Sequence, residues 1–122
     1  MDHKLRVYWI PQVGKCKPFY ISVKDVVEAK KVMDILAAYD AFQLQNRIKP
    51  DYVNTGGLQM YDEELEEWCS WELETEDEYF DDVEEYIEHL GYNNAEVRNE
   101  INMLNKGLFS QIDWEKIDRM TE

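Results

Sequence analysis

Two short segments near the start of the chain alternate apolar and polar positions in the way that is typical of strands. In residues 4–10, KLRVYWI, the apolar side chains of Leu5, Val7 and Trp9 occupy every second position and therefore share one face. Pro11 ends this segment. Residues 19–23, FYISV, form a second β-branched and aromatic run after a turn-prone stretch. The pattern predicts two antiparallel strands.

A long segment with the helical period follows the second strand. Apolar residues recur at spacings of three and four from Lys24 to Leu44, which predicts a helix over that range with Ser22 as its N-cap. The predicted buried stripe contains Val26, Ala29, Met33 and Leu36, and it is widened by Val32, Ile35, Tyr39 and Phe42.

Turn-forming residues come next, in residues 48–57, IKPDYVNTGG. Pro50 restricts Lys49 to extended geometry, and the glycines at 56 and 57 permit positive φ, so we expect a loop. Beyond the loop, LQMY and EWCSWEL predict a hairpin closed by the acidic turn DEELE. The two tryptophans of the second strand, Trp68 and Trp71, are expected on opposite faces.

Helical spacing returns in the last part of the chain, where three helices are predicted. The first covers residues 77–90 and stops at Gly91. Asn93 or Asn94 is expected to cap the second, which runs to about Asn105 before Gly107, and Asp113 to cap the short third helix. Their apolar stripes are Tyr79, Phe80, Val83, Tyr86, Ile87 and Leu90; Val97, Ile101 and Leu104; and Trp114, Ile117 and Met120.

In this order the elements predict an α+β fold. A small antiparallel sheet of about four strands packs against one helix, and about three C-terminal helices follow. With 122 residues, 44% of them apolar, the chain is long enough for one domain with a core of its own. We therefore predict a single domain over 1–122, with a ββαββ core in 1–72 and an acidic helical extension in 73–122.

The sequence offers no motif for catalysis, for a metal or for a cofactor. Cys16 and Cys69 lie far apart without a CxxC pair, and two reduced thiols are expected. His3 and His89 lack a second ligand at metal spacing, and the acidic segments lack the glycine of a calcium loop. NTGG lacks the lysine of a P-loop and is expected to be a turn. We expect a protein that is not an enzyme and binds no cofactor.

No apolar run reaches the roughly twenty residues of a membrane span, and the N-terminal segment lacks the pattern of a signal peptide. A cytoplasmic location is therefore expected.

Charge is distributed very unevenly along the chain. The net charge is −14. Residues 1–49 carry nine basic and five acidic groups, residues 98–122 carry four and five, and residues 50–97 carry seventeen acids without a single lysine or arginine. This uneven, mainly negative charge disfavours nucleic acid and anionic membranes as partners and favours strongly basic protein surfaces.

Three segments, YWIPQVGKCKPFYI, AAYDAFQ and IKPDYVNTGGLQM, together resemble a family of small proteins encoded by bacteriophages, prophages and mobile elements of bacteria. In that family a strand ending in Trp-Ile-Pro-Gln, a Lys-Pro-Phe strand, a helix and an Ile-Lys-Pro-Asp-Tyr segment leading to Gly-Gly-Leu follow in this order. The likeness covers roughly residues 5–72. It implies a phage-like origin and a bacterial host cell, but no activity.

The acidic middle of the chain predicts a binding function. On a helix over 77–90, acids at spacings of three and four would form a ridge of like charges, which costs helix stability. Something other than helix stability must favour such a ridge, and a row of carboxylates resembles the phosphates of a duplex. The predicted partner-binding residues are Asp62, Glu63, Glu64, Glu66, Glu67, Glu72, Glu74, Glu76, Asp77, Glu78, Asp81, Asp82, Glu84, Glu85 and Glu88.

We therefore predict a counter-defence protein of a phage or mobile element. Its acidic surface would mimic DNA and occupy the basic nucleic-acid groove of a host nuclease, either a restriction enzyme or an RNA-guided CRISPR effector. In composition the chain resembles the acidic anti-restriction and anti-CRISPR inhibitors. It would bind no nucleic acid directly, and its oligomeric state, a dimer included, stays open.

Other functions remain open. The aromatic N-terminal half could bind a phage or host protein as a non-enzymatic adaptor or form a homodimer, with the acidity serving only solubility. Lysines and arginines of this half, with Tyr8, Trp9 and Tyr20 as stacking surfaces, suggest nucleic-acid contact, although the net charge opposes it. Ion pairing of these lysines and arginines with the acidic residues in the middle of the chain is a simpler role for them. The basic residues are Lys4, Arg6, Lys15, Lys17, Lys24, Lys30 and Lys31.

Overall fold

The computed structural model describes residues 4–14, 16–49 and 54–120 and confirms the α+β prediction. The strands are β1 (Leu5–Ile10), β2 (Phe19–Val23), β3 (Thr55–Asp62), β4 (Glu67–Ser70), β5 (Leu73–Glu74) and β6 (Tyr79–Phe80). The helices are α1 (Val26–Gln45), α2 (Val83–Asn93), α3 (Ala95–Phe109) and α4 (Trp114–Met120). Residues 50–53, which belong to the IKPDYVNTGG segment, lie outside the described residues.

The main sheet has four antiparallel strands in the order β2-β1-β3-β4. Val7 at the centre of β1 is fully buried and lies opposite Ile21 of β2 and Leu58 of β3. The alternation predicted for β1 is confirmed, because Val7 and Trp9 are buried on the face that packs against α1. The other helices pack around α1.

The opposite face of the sheet carries Arg6, whose guanidinium carbon lies 3.8 Å from the ring centroid of Tyr20 and 4.2 Å from that of Trp68. Trp71, in contrast, is buried in the core. The prediction that Trp68 and Trp71 point to opposite faces is therefore confirmed.

The Gly56–Gly57 pair lies inside β3, so the predicted turn at NTGG is wrong. Neither glycine has a positive φ. Gly56 lies opposite Trp9, and a Cβ there would overlap the Trp9 ring and lie 2.8 Å from the carbonyl oxygen of Tyr8. A Cβ on Gly57 would lie 3.0 Å from the Tyr8 ring. The glycines are needed because two aromatic rings of β1 pack directly on the backbone of β3.

Helix α1 begins later than predicted, because Asp25 and not Ser22 is its N-cap. The Asp25 carboxylate accepts a hydrogen bond of 2.8 Å from the Glu28 N–H, whereas Ser22 lies in β2 opposite Arg6. The predicted widening of the stripe is also wrong in part. Side chains of Ile35, Tyr39 and Phe42 are exposed, and the buried set is Ala29, Lys30, Ala38, Asp40, Ala41 and Leu44.

The predicted helix over 77–90 is replaced by two elements. Residues 73–80 form the β5–β6 hairpin, which the helical spacing did not predict, and α2 begins only at Val83. Thr75 closes the hairpin turn by accepting a 3.0 Å hydrogen bond from the Glu78 N–H at its hydroxyl. Asp82 then caps α2 by accepting a hydrogen bond from the Glu85 N–H.

Gly91 lies inside α2 and does not stop it. It is buried, and a Cβ there would lie 3.4 Å from the Cβ of Arg98 on α3, so glycine lets the two helices approach closely. Asn94 ends α2 and caps α3, accepting hydrogen bonds from the N–H groups of Glu96 and Val97. The predicted Asn94 cap is confirmed.

Helix α3 continues through Gly107 to Phe109, beyond its predicted end. Its inward residue Ile101 is buried, as predicted. The Asp113 cap of α4 is confirmed by a 3.0 Å hydrogen bond from the Lys116 N–H to its carboxylate.

Two clusters of buried side chains hold these elements together. The larger joins Val7, Leu58, Trp71 and Phe80 with the start of α1 and with α2. The smaller joins the end of α1 to α4 through Leu44, Ile112 and Ile117. The division of the chain after residue 72 stays a prediction; residues on both sides of that point share the larger core.

Candidate protein-binding surface

The fifteen predicted partner-binding acids lie on a series of adjoining segments of the fold. They occupy the β3–β4 hairpin, the link between β4 and β5, the β5–β6 hairpin, the segment before α2, and α2 itself. All are exposed except Asp62, which is half-buried. We call these fifteen residues the acidic surface.

The single helical ridge predicted within this surface is wrong. Of its members, Glu78 lies in the β5–β6 turn and Asp81 in the segment before α2, while Asp82 is the N-cap. Glu84, Glu85 and Glu88 belong to α2. The acids are therefore presented by two hairpins and one helix instead of one row on a single helix.

The thiol of Cys69 on β4 shows that acids from different segments converge. Partial burial raises the pKa of Cys69, and the negative charges of Glu67, Asp62 and Glu72 raise it further. Asp62 and Glu67 face each other across the β3–β4 hairpin, and Glu72 follows β4. These three carboxylates therefore act on one point of the molecule.

The hydroxyl of Tyr79 on β6 connects this group to the next. It donates a 2.8 Å hydrogen bond to the Glu72 carboxylate, and this bond is the main reason that the pKa of Tyr79 is raised. Burial and the charges of Glu72, Asp81 and Glu74 add to the effect. Glu72 therefore links the carboxylates near Cys69, on the β3–β4 hairpin, with those near Tyr79, on the β5–β6 hairpin.

Few of these carboxylates are neutralised within the described part of the chain. Lys30 on α1 pairs with Glu84 and with Asp34, and His89 lies 3.6 Å from Glu78. Burial lowers the pKa of Lys30, but the hydrogen bonds and charges of Asp34 and Glu84 outweigh it and raise the pKa overall. Thirteen of the fifteen acids have no ion pair with any described residue.

Three acids of the surface also have structural roles. Asp62 accepts hydrogen bonds from the N–H groups of Glu64 and Leu65 and so shapes the β3–β4 turn. Asp82 caps α2, and Glu72 holds Tyr79. Experiments on charge should therefore use other members, such as Glu74 and Glu76.

A sequence model of the family described as superinfection exclusion gene product 17 matches residues 4–92. The chain belongs to this family. It is also 47% identical over 98 residues to the superinfection exclusion protein of Salmonella phage P22, covering 71% of this chain and 92% of that protein. No solved structure matches the chain.

Membership of the superinfection exclusion family confirms the predicted phage origin. The match extends past residue 72, where the predicted likeness ended, and takes in both hairpins and nearly all of α2. The whole acidic surface therefore lies inside the matched region, whereas α3 and α4 lie outside it.

A second polar cluster, which was not predicted from the sequence, joins the segments that carried the phage resemblance. Asp40 on α1 is only 4% exposed; its carboxylate accepts hydrogen bonds of 2.8 Å from Trp9 Nε1 and 2.9 Å from Asn54 Nδ2. Lys49 Nζ lies 3.4 Å from the same carboxylate and also donates to the carbonyl oxygen of Pro11. We call these residues the Asp40 cluster. No pattern in the sequence links these residues, because Asp40 and Trp9 are 31 positions apart along the chain.

The proposed stacking surface of the N-terminal half is divided by the sheet. Trp9 is buried beside Asp40, whereas Tyr20 stacks on Arg6 on the opposite face. The predicted ion pairing between basic residues of the N-terminal half and the acids in the middle of the chain occurs at Lys30, which pairs with Glu84. Lys31 pairs instead with Glu100 of α3.

The remaining candidate chemistry is limited. Cys16 and Cys69 are free thiols. Among the described residues, no three histidine, cysteine or acidic side chains come together as a metal site. No helix in residues 4–14, 16–49 and 54–120 is long and apolar enough to cross a membrane.

Proposed function

We propose that the protein acts in superinfection exclusion, the process that decides whether a second phage can infect an occupied cell, by binding a basic protein through its acidic surface. The observation that carries this proposal is the set of thirteen carboxylates without an ion pair, spread over adjoining hairpins and α2. All lie in the region matched by the superinfection exclusion family.

The physical reason is electrostatic. Carboxylates packed without bases repel one another, so a basic partner that replaces their counter-ions gains free energy on binding. Proteins that bind nucleic acid offer such surfaces, because they carry arrays of lysine and arginine for phosphates. The proposed partner is therefore a nucleic-acid-binding protein in the host cytoplasm, a nuclease being the sharpest case, and the protein would act by occupying its groove without catalysis.

The arrangement on two hairpins and α2 supports a broad negative surface better than a linear copy of one DNA strand. A partner would need a wide basic groove, into which the hairpin turns project.

A matched pair of variants tests this proposal. Glu74→Lys with Glu76→Lys and, as control, Glu96→Lys with Glu115→Lys each change the net charge from −14 by four units, to −10. The control sites lie on α3 and α4, outside the acidic surface. Circular dichroism and thermal melting first establish that both variants fold.

Two measurements then follow. Each variant is produced in bacteria and captured from nuclease-treated lysate together with its bound partners. The partners are then eluted with salt or with duplex DNA. In parallel, the efficiency of plating of a phage panel is measured on cells that express each variant. We expect the Glu74/Glu76 variant to lose both binding and the effect on plating, and the control to keep both. Equal behaviour of the two variants, or binding that duplex DNA does not displace, would contradict the proposal.

A second candidate function rests on the exposed apolar face of α1. Ile35, Tyr39 and Phe42 line a groove of about 290 Å³ with Leu108 and Ile112 from the other side, which suits an adaptor that binds a protein through apolar contacts. Truncation of the chain after residue 72 cannot separate the two functions, because it also removes Phe80, which belongs to the core. The variants Tyr39→Ser and Phe42→Ser do so: an adaptor loses its partner, whereas the acidic surface keeps its own.

A further inference from the structure

The outer edge of β2 is open in the described structure. The Tyr61 N–H donates to the carbonyl of Lys4, so Lys4, Arg6 and Tyr8 direct their backbone groups to β3. The intervening residues of β1, such as Val7, therefore bond to β2, where Val7 lies opposite Ile21. By the same alternation, the backbone N–H and C=O groups of Tyr20 and Ser22 point away from the sheet.

The two edges of the sheet differ in charge. β4, at one edge, contains Glu67 and adjoins the acidic β3–β4 turn. β2, at the other edge, has no charged residue, and its Phe19 and Tyr20 side chains are 61% and 47% exposed. Natural edge strands are normally protected against pairing by charges, prolines or bulges. β2 has none of these within its length.

We propose that two copies of this chain associate by antiparallel pairing of their β2 strands into one continuous sheet. Self-association of a chain with a net charge of −14 needs a contact that keeps the acids apart. β2 meets this requirement because β1 and β3 separate it from β4, a distance of about 14 Å at the usual spacing of strands. Each copy adds a further set of strands, so the two acidic surfaces lie at opposite ends of the joined sheet.

The register of this pairing is fixed by the open backbone groups. A two-fold axis at Ile21 sets Tyr20 opposite Ser22 of the second copy, so that both residues exchange N–H···O bonds. It also sets Phe19 opposite Val23 of the second copy, which covers the exposed phenyl ring, and Lys17 opposite Asp25 of the second copy, which adds an attractive charge pair.

The neighbouring registers are less favourable. A shift in one direction sets Ser22 against Pro18, which has no N–H to donate. A shift in the other direction sets Tyr20 against Lys24, whose N–H already donates to the Glu28 carboxylate at 3.2 Å. The Ile21-centred register is therefore the one in which the open N–H and C=O groups of both Tyr20 and Ser22 find partners within β2 of the second copy.

Light scattering after size exclusion tests the proposal over micromolar to millimolar protein concentrations. The unaltered chain is expected to rise from the monomer mass towards twice that mass as concentration increases. Ser22→Pro removes an outward N–H without touching the β1–β2 ladder and should remain monomeric, whereas Ser22→Ala keeps the N–H and should associate as the parent does. A parent that stays monomeric throughout, or a Ser22→Pro variant that associates equally well, overturns the proposal.

A disulfide test checks the register and covers the case in which Ser22→Pro fails to fold. In a background with Cys16→Ser and Cys69→Ser, chains carrying Tyr20→Cys are mixed with chains carrying Ser22→Cys and then oxidised. The mixture should form crosslinked dimers much faster than either chain alone, because residue 20 of one copy lies opposite residue 22 of the other and not opposite its own equivalent. Equal crosslinking rates in the mixture and in the single chains would rule out this register. Pairing of β2 with a strand of another protein, in place of a second copy, would rule out the proposal.

Discussion

Carboxylates serve two different purposes in the two polar regions of this molecule. In the Asp40 cluster, one buried carboxylate receives hydrogen bonds from Trp9 and Asn54 and a charge partner from Lys49. On the acidic surface, thirteen carboxylates lie in solvent or at its edge without an ion pair among the described residues. The first arrangement joins β1, α1 and the residues that lead into β3, and the second leaves charge available to a partner.

The number of acids in a region therefore says little about their role. A buried carboxylate must be fully partnered, because water no longer stabilises its charge. An exposed carboxylate needs no partner, and when many are exposed together they mainly contribute an electric field. Four experiments test this division.

The largest effect is expected from Asp40→Ala. The substitution leaves the Lys49 ammonium buried without its counter-charge, and the free energy of unfolding should fall by about 3–5 kcal/mol. Urea denaturation followed by circular dichroism measures the change. Glu76→Ala on the acidic surface is the control and should stay within about 0.5 kcal/mol of the parent. Similar losses at the two positions would remove the distinction between the regions.

The next experiment tests the packing volume at two glycines instead of charge. Gly56→Ala places a methyl group against the Trp9 ring, beside the Asp40 cluster, and should cost about 1–3 kcal/mol of stability. Gly107→Ala on α3 meets no atom within 4 Å and should raise stability by about 0.5–1 kcal/mol through helix propensity. Thermal melting of both variants decides the matter, and a tolerated alanine at 56 would show that the sheet can shift.

A smaller effect is expected when acids without a structural hydrogen bond are neutralised. Glu64→Gln combined with Glu74→Gln and Glu76→Gln should leave stability unchanged or raise it by a few tenths of a kcal/mol, because repulsion is relieved. The gain should disappear in 1 M salt, where the screening length is about 3 Å. A loss well above 1 kcal/mol at low salt would mean that these side chains hold the fold.

The smallest effect concerns the Cys69 thiol. Its raised pKa means that less thiolate is present at pH 8 than in an ordinary cysteine, and therefore that alkylation is slower. Glu67→Gln removes one of the charges that raise this pKa, so the pKa should fall and the rate with iodoacetamide should increase modestly. Mass spectrometry of the modified peptide gives the rate, and Glu96→Gln, on α3, is the control. An unchanged rate would argue that partial burial alone governs Cys69.

Much of the fold was predictable because its periods are clear. Alternation in KLRVYWI and FYISV gave β1 and β2, and the acidic turn between LQMY and EWCS gave the β3–β4 hairpin. The start of α2 was missed because Tyr79 and Phe80 suit a strand as well as a helix. A stronger signal was present at Asp82, since an N-cap residue followed three positions later by Glu85 is typical of a helix start.

The candidate sites were predictable to different degrees. The acidic surface could be identified from charge alone, because long runs of acid without base are seldom buried. Its division among two hairpins and α2 depended on local hydrogen bonds such as the one from the Glu78 N–H to Thr75. The Asp40 cluster could not be predicted, since Asp40 and Trp9 are 31 positions apart and meet only when α1 packs on the sheet.

The junction at Asn94 constrains how the chain could be lengthened or shortened. One residue both ends α2 and caps α3, so the rotational phase of the second helix is set by that of the first. Adding or deleting a single residue there would turn α3 by about 100° around its axis and carry Ile101 away from the interior. Descendants of this gene should therefore tolerate length changes in the β3–β4 turn far better than at this corner.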